Sequence, residues 1–157
     1  MIVVDSSVWI DHLRQGESRL AAALESGLVL CHPFVIGELA CGHLRSRQGL
    51  LASLAQLPAA PVAAHSEAMS FLERHALAGR GAGWVDVHLL ASTSLAAGAR
   101  LWTSDKRLCA LAAELGLAYG SQAPPARIAH LSLAELDLGL SRRSSAEGRN
   151  GSGATRT

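Results

Sequence analysis

The stretch MIVVDSSVWI, residues 1–10, decides the fold. Ile2, Val3 and Val4 form a β-branched apolar run suited to a strand buried on both faces of a parallel sheet, and the run ends on an acid, Asp5. Ser6 or Ser7 can cap the next segment, so Ser6 to Arg14 reads as a helix with Val8, Trp9, His12 and Leu13 on a mixed inner face. A strand that stops on a carboxylate and passes at once into a helix matters for function. Open α/β sheets gather ligands beyond the carboxyl ends of their strands.

Strands and helices alternate outward from this unit. A helix over Glu17 to Ser26 stops at Gly27, and Leu28 to Cys31 reads as the next buried strand. Pro33 suits a first helical position, and Phe34 to Arg45 carries apolar residues on nearly every side of Glu38, which predicts a largely buried helix. Gly49 to Gln56 reads as a helix, Ala60 to Ala63 as a brief strand and His65 to Ala78 as an amphipathic helix. Gly79, Gly81 and Gly83 interrupt it, and Trp84 to Ala97 resumes as a helix closed by Gly98. Arg100 to Thr103 is a strand, Asp105 opens a helix over Lys106 to Leu115, and Leu117 to Gly120 is a last strand. The class is α/β, with a central parallel sheet covered on both faces. Residues 1–140 are expected to form one domain, with a helix over Ser132 to Leu138 near its end. Residues 141–157, SRRSSAEGRNGSGATRT, are expected to be a disordered basic tail.

Composition removes several classes of function. The chain has 157 residues, 49% hydrophobic and 17% charged, enough for one domain with a substantial core. Asp5, His32, Pro33 and Glu38 break the best apolar runs, so no membrane helix is expected. The first residues lack a basic leader, and a cytoplasmic address is the default expectation. Cys31, Cys41 and Cys109 include no CxxC pair and are read as buried reduced thiols. Net charge is +1, but four arginines against one glutamate give the tail +3, so residues 1–140 carry −2. A broad basic face for nucleic acid is therefore not expected, and any such role must rest on a local site.

Four acids stand where acids are unexpected: Asp5, Glu38 within FVIGELAC, Asp86 within GWVDVHLLA, and Asp105 after LWTS. Taken alone, Asp105 reads as a helix cap and Asp86 as a first-turn acid favoured by the helix dipole. Asp5 and Asp105 both end strands and begin helices, and Asp86 and Glu38 can lean over the same edge. If the strand before Asp5 neighbours the strand before Asp105, all four converge. Like charges at that range raise one another's pKa strongly, and a divalent cation resolves the conflict. All-oxygen ligands favour Mg2+ or Mn2+ over zinc.

VVDSSVWIDHL at Val3 to Leu13, the segment at Glu38 and Leu39, GWVDVHLLAS at Gly83 to Ser92 and LWTSDKRL at Leu101 to Leu108 resemble, in order, the PIN-domain nucleases. Within that family they are similar to the VapC toxins of bacterial toxin–antitoxin pairs. The resemblance covers about residues 1–120. It implies a PIN-like three-layer α/β/α fold and a metal-dependent endoribonuclease toxin. Asp5, Glu38, Asp86 and Asp105 would be its catalytic acids and metal ligands for Mg2+ or Mn2+, with Thr103, Ser7 and Ser6 behind them. It also implies RNA as substrate, a cognate VapB-type antitoxin, a homodimer, and contact with DNA only through the antitoxin.

Other signals are weaker. The seven histidines contain no HxxxH pair, and His88 falls on a different helix face from Asp86. GRGAGW at Gly79 to Trp84 fails the dinucleotide-loop spacing. Trp9 and Trp102 read as core, and Trp84 as core or a dimer contact. Arg14, Arg45, Lys106 and Arg107 lie near the acids in sequence and are candidates for gripping RNA, against the plainer reading of solvated charges. An aspartyl-phosphate phosphatase would need an acid where Ser7 stands. The alternative from another class is a non-catalytic PIN-like or receiver-like α/β interaction module, which has no use for four crowded carboxylates.

Overall fold

The computed structural model describes residues 1–44 and 46–120. The expected helix at Ser132 to Leu138, the domain end at residue 140 and the tail at 141–157 lie outside the described residues. Strand β1 (Ile2–Val4) is fully enclosed, as its composition requires, and lies between two parallel neighbours. β2 (Val29–Leu30) pairs on one side, with Ile2 opposite Val29. β3 (Arg100–Trp102) pairs on the other, with Val4 opposite Trp102. The α/β class is as the sequence leads one to expect, and β1 and β3 are neighbours, which meets the condition on which convergence of the acids depends.

Seven helices are described around the sheet. They are α1 (Ser6–Gln15), α2 (Ser18–Glu25), α3 (Pro33–Cys41), α4 (Arg47–Leu54), α5 (His65–Arg74), α6 (Trp84–Leu95) and α7 (Lys106–Glu114). α6 and α7 pack on β3, α5 packs on α6, and α1 packs on α3. Val3, Val4, Leu20, Leu39, Leu89 and Leu90 fill the core, and Trp9 and Trp102 join it as expected. No helix among the described residues is long and apolar enough to cross a membrane.

Several expected boundaries move, each for a local reason. Ala60 to Ala63 forms no strand: the chain makes a single parallel bridge, Cys31 to Ala59, because Pro58 and Pro61 flank it without amide donors. Leu117 to Gly120 likewise makes only the bridge Leu101 to Ala118, since the amides of Leu117 and Ala118 both turn back to the Ala112 carbonyl. α3 stops at Cys41, four residues early, where Arg47 Nε donates to the Ala40 carbonyl at 2.9 Å and closes the helix end. α5 stops at Arg74 because Ala76 takes a left-handed conformation (φ 48°) and Leu77 N–H returns to the Leu72 carbonyl at 3.0 Å.

The buried helix is α6 rather than α3. Val87 to Thr93 are consecutively buried, whereas α3 buries Val35 and Leu39 and leaves Gly37, Glu38 and Cys41 exposed. Ser92 inside α6 meets a buried histidine, with His32 Nε2 3.0 Å from Ser92 Oγ, and the same oxygen accepts the Ala63 amide at 3.1 Å. His32 Nδ1 accepts the Phe34 amide at 3.1 Å and caps α3, so the ring is held neutral with its proton on Nε2. Burial, helped by His88 nearby, pushes the His32 imidazole down to about 4.

Because the folded pKa of His32 lies below the unfolded one, the unfolded chain takes up a proton first as pH falls. Stability is then full above the unfolded value near 6.5 and declines toward the folded value of about 4. Urea unfolding should lose about 2 kcal/mol between pH 7.5 and pH 5 from this group alone. A His32→Gln variant, which cannot titrate, should flatten that slope.

Candidate functional site

The site begins with the pairing of β1 and β3. Val4 lies opposite Trp102, and the next amide along, Asp5 N–H, donates to the Trp102 carbonyl at 2.9 Å, so Asp5 and Thr103 leave the sheet side by side. Thr103 Oγ1 donates to Asp5 Oδ2 at 2.8 Å, and Ser7 Oγ donates to the same oxygen. Asp5 Oδ1 accepts the Ser6 amide at 2.8 Å, which makes Asp5 the N-cap of α1. Only 6% of Asp5 is exposed, so these donors replace the water that the carboxylate loses.

Two of those hydroxyls also hold the segment that carries Asp105. The Ser104 amide donates to Ser7 Oγ at 3.0 Å, and the Asp105 amide donates to Thr103 Oγ1 at 3.0 Å. Two short hydrogen-bond chains thus run from the backbone of residues 104 and 105, through Ser7 and Thr103, onto one oxygen of Asp5. Asp105 then caps α7, its Oδ1 accepting the Leu108 amide at 2.8 Å. The cap reading of Asp105 is correct as far as it goes. Asp86 Oδ2 accepts the Gly83 amide at 2.7 Å and starts α6.

Glu38 does not share the enclosure expected of it. It is exposed on α3, beside an open groove lined by Pro33, Phe34, Gly37, Cys41 and Val85. Ser6 ties it to the others, Oγ donating to Glu38 Oε2 at 2.8 Å and lying 3.4 Å from Asp5 Oδ1. Ser6, Ser7 and Thr103 therefore all touch the acids that they are expected to support.

Asp86 shows the electrostatic result of this convergence. Its carboxyl is held above its ordinary value, first by burial and then by the charges of Asp5 and Asp105, against the opposing Gly83 hydrogen bond. Helix N-termini beneath all three aspartates offset part of the repulsion. The two ion pairs among the described residues, Arg19–Glu17 and Arg80–Glu114, include none of the four acids. The donor set of carboxylate and hydroxyl oxygens fits a hard divalent cation such as Mg2+ or Mn2+. Among the described residues, however, no three carboxylate, imidazole or thiolate side chains are drawn together closely enough to form a metal-holding group. The aspartates meet at the range of mutual repulsion, each still held by its own helix.

The surrounding residues divide differently from expectation. Cys31 is buried, with its thiol pushed up to about 11 by burial, but Cys41 and Cys109 are exposed, which corrects the reading of three buried thiols. His88 packs between Phe34 and Trp84, both ring centroids 4.7 Å away, and burial followed by the charge of His65 holds its pKa down. Trp84 is 39% exposed at the start of α6, so it is not core. Arg14 and Lys106 are exposed, and Arg107 lies over Gly81, whose φ of +81° gives the turn before Asp86 its path. The side chain of Arg45 is outside the described residues. Sequence reasoning misses Asp11 and Ser104, joined from Ser104 Oγ to Asp11 Oδ2 at 2.7 Å.

The PIN domain matches residues 2–114, and the chain belongs to that family. Ribonuclease VapC32 of Mycobacterium tuberculosis, in strains CDC 1551 / Oshkosh and ATCC 25618 / H37Rv, is 48% identical over 122 residues. The match covers 78% of this chain and 98% of that protein.

The convergence has a consequence that can be read without any metal. In side-chain carboxyl NMR titrations with EDTA, Asp86 should titrate above the ordinary aspartate value. Asp105→Asn removes one of the two charges that hold it up and should lower its midpoint. An unchanged midpoint would mean that the acids do not share one field.

Proposed function

We propose that this chain is the ribonuclease toxin of a toxin–antitoxin pair, a metal-dependent endoribonuclease that hydrolyses RNA phosphodiester bonds with water. The ribonuclease reading is supported by membership of the PIN-domain family and by 48% identity to a protein named as a ribonuclease across nearly its full length. The observation that carries the chemistry is the meeting of the acids at one sheet edge, where Thr103 and Ser7 join Asp5 to the loop of Asp105 and Ser6 joins Glu38 to Asp5. Burial, and then the charges of Asp5 and Asp105, hold the Asp86 carboxyl up there, a repulsion that a cation would relieve.

In this reading Asp5, Asp86 and Asp105 hold Mg2+ or Mn2+, and Glu38 completes the donor set or orients water from the open side. The metal, when bound, would lower the pKa of a water and offset charge on the scissile phosphate. The chain's own residues do the rest. Ser7 and Thr103 keep Asp5 Oδ2 fixed beside the loop of Asp105, so both carboxylates stay at the one edge where a cation would be held. Ser6 holds Glu38 within reach of Asp5, where the carboxylate can take a proton from the attacking water. Water gives its proton to that carboxylate and forms the new bond to phosphorus as the bond to the 3′-oxygen breaks, and the leaving 3′-oxygen takes a proton from solvent. The products carry 5′-phosphate and 3′-hydroxyl ends. A cation at the acids would also explain how a body with a charge of −2 handles a polyanion.

A VapB-type antitoxin and a second copy of the chain are the partners that this reading carries with it. Purified, antitoxin-free protein should cut a mixed pool of single-stranded and transfer RNA with Mg2+ or Mn2+ and stop with EDTA. Asp5→Asn should reduce cutting at least about 100-fold while leaving the fold intact, since the loss falls on charge stabilisation worth several kcal/mol. Equal cutting by both proteins would sink the mechanism. Fragments ending in 2′,3′-cyclic phosphate would show that the ribose hydroxyl attacks rather than water.

A further inference from the structure

Asp11 lies outside the four acids, yet its carboxylate is joined to the loop that carries one of them. Ser7 and Asp11 are four residues apart on α1 and so share a face of the helix. Both reach the same residue of the β3–α7 loop: Ser7 Oγ accepts the Ser104 amide at 3.0 Å, and Asp11 Oδ2 accepts the Ser104 hydroxyl at 2.7 Å. Neither ion pair among the described residues uses Asp11. It stands in the second half of α1, where the helix dipole gives a negative charge no advantage. Helix stability alone does not account for an acid here. Its short, charge-assisted bond to Ser104 does.

We propose that Asp11 is a positioning residue, which fixes the Thr103–Asp105 loop against α1 so that Asp105 keeps its place beside Asp5. The inference deepens the nuclease reading and rests on it. Ser104 is exposed and precedes Asp105 directly; its amide is bonded to Ser7 and the next amide to Thr103, and both of these bonds hold backbone only. The Asp11 bond adds an anchor on the Ser104 side chain, and a backbone and a side-chain anchor on one residue restrict its rotation. Residues that orient metal-binding carboxylates from behind contribute through geometry, and their loss typically costs about 10- to 100-fold in metal affinity or activity.

The test compares Asp11→Ala, Asp11→Asn, Ser104→Ala and Asp11→Ala/Ser104→Ala in the full chain, each checked for a cooperative unfolding transition. Amide hydrogen exchange in EDTA should quicken at Ser104 and Asp105 in Asp11→Ala and stay near wild type elsewhere in β1 and β3. Mn2+ affinity by calorimetry, without RNA, should fall about tenfold in Asp11→Ala and in Ser104→Ala, with no further fall in the double variant. Asp11→Asn keeps an acceptor oxygen for Ser104 but loses the charge that strengthens the bond, and should fall between wild type and Asp11→Ala in both exchange and affinity. If Asp11→Asn loses as much affinity as Asp11→Ala while its exchange at Ser104 and Asp105 stays at the wild-type rate, the charge acts without the anchor and the proposal is wrong. Unchanged exchange at Ser104 and Asp105 in Asp11→Ala would overturn it as well. Wild-type protein that neither binds Mn2+ nor cuts RNA would overturn the nuclease reading and the metal half of this proposal, while exchange would still decide whether Asp11 holds the loop.

Discussion

The parallel register of β1 against β3 is the constraint on which the site depends. Once Val4 lies opposite Trp102, the ladder continues by one bond to Asp5, and Asp5 must emerge next to Thr103. A parallel pair also sends both chains out of the same sheet edge, so α1 and α7 start at that edge with their N-termini toward the acids. A slip of one residue would place Asp5 on the other face and break the Thr103 bond to its carboxylate and the Ser104 bond to Ser7, leaving only the local bonds from Ser6 and Ser7. The near-complete burial of Val3, Val4 and Leu101 makes such a slip costly, because it would set each side chain against the opposite packed layer, whose shape it does not fit.

Each aspartate then does two things at once. Asp5, Asp86 and Asp105 accept backbone amides at the starts of α1, α6 and α7, which secures the helices and fixes one oxygen of each acid. The same placement brings three negative charges into one field, and at Asp86 their repulsion adds to burial in holding the carboxyl up. Capping and repulsion are opposed contributions from the same residues. A cation at this edge would relieve the repulsion without asking the acids to release the amides that start their helices.

This double role explains what can be read from the sequence and what cannot. A buried apolar run ending on Asp5 is hard to explain otherwise, so the strand, the helix and the site edge are legible from ten residues. Asp105 alone looks like a cap, and it is one; only its coincidence with Asp5 and Asp86 on one edge separates the two readings. The enclosure of Glu38 is misjudged because its neighbours in sequence are apolar, while its helix buries only the face of Val35 and Leu39. Cys41 shares the exposed part of that helix, which is one reason the expectation of three buried thiols fails.

Asp11 escapes notice for a different reason. An acid halfway along a surface helix carries no periodic or positional signal, and its partner Ser104 belongs to a loop 93 residues away in the chain. What the sequence does hold is the four-residue spacing of Ser7 and Asp11, which has meaning only after the sheet has set the Thr103–Asp105 loop over α1. Local pattern fixes the elements and the acids that end them. Residues that act through a neighbour across the fold become visible only when the register that joins the elements is known.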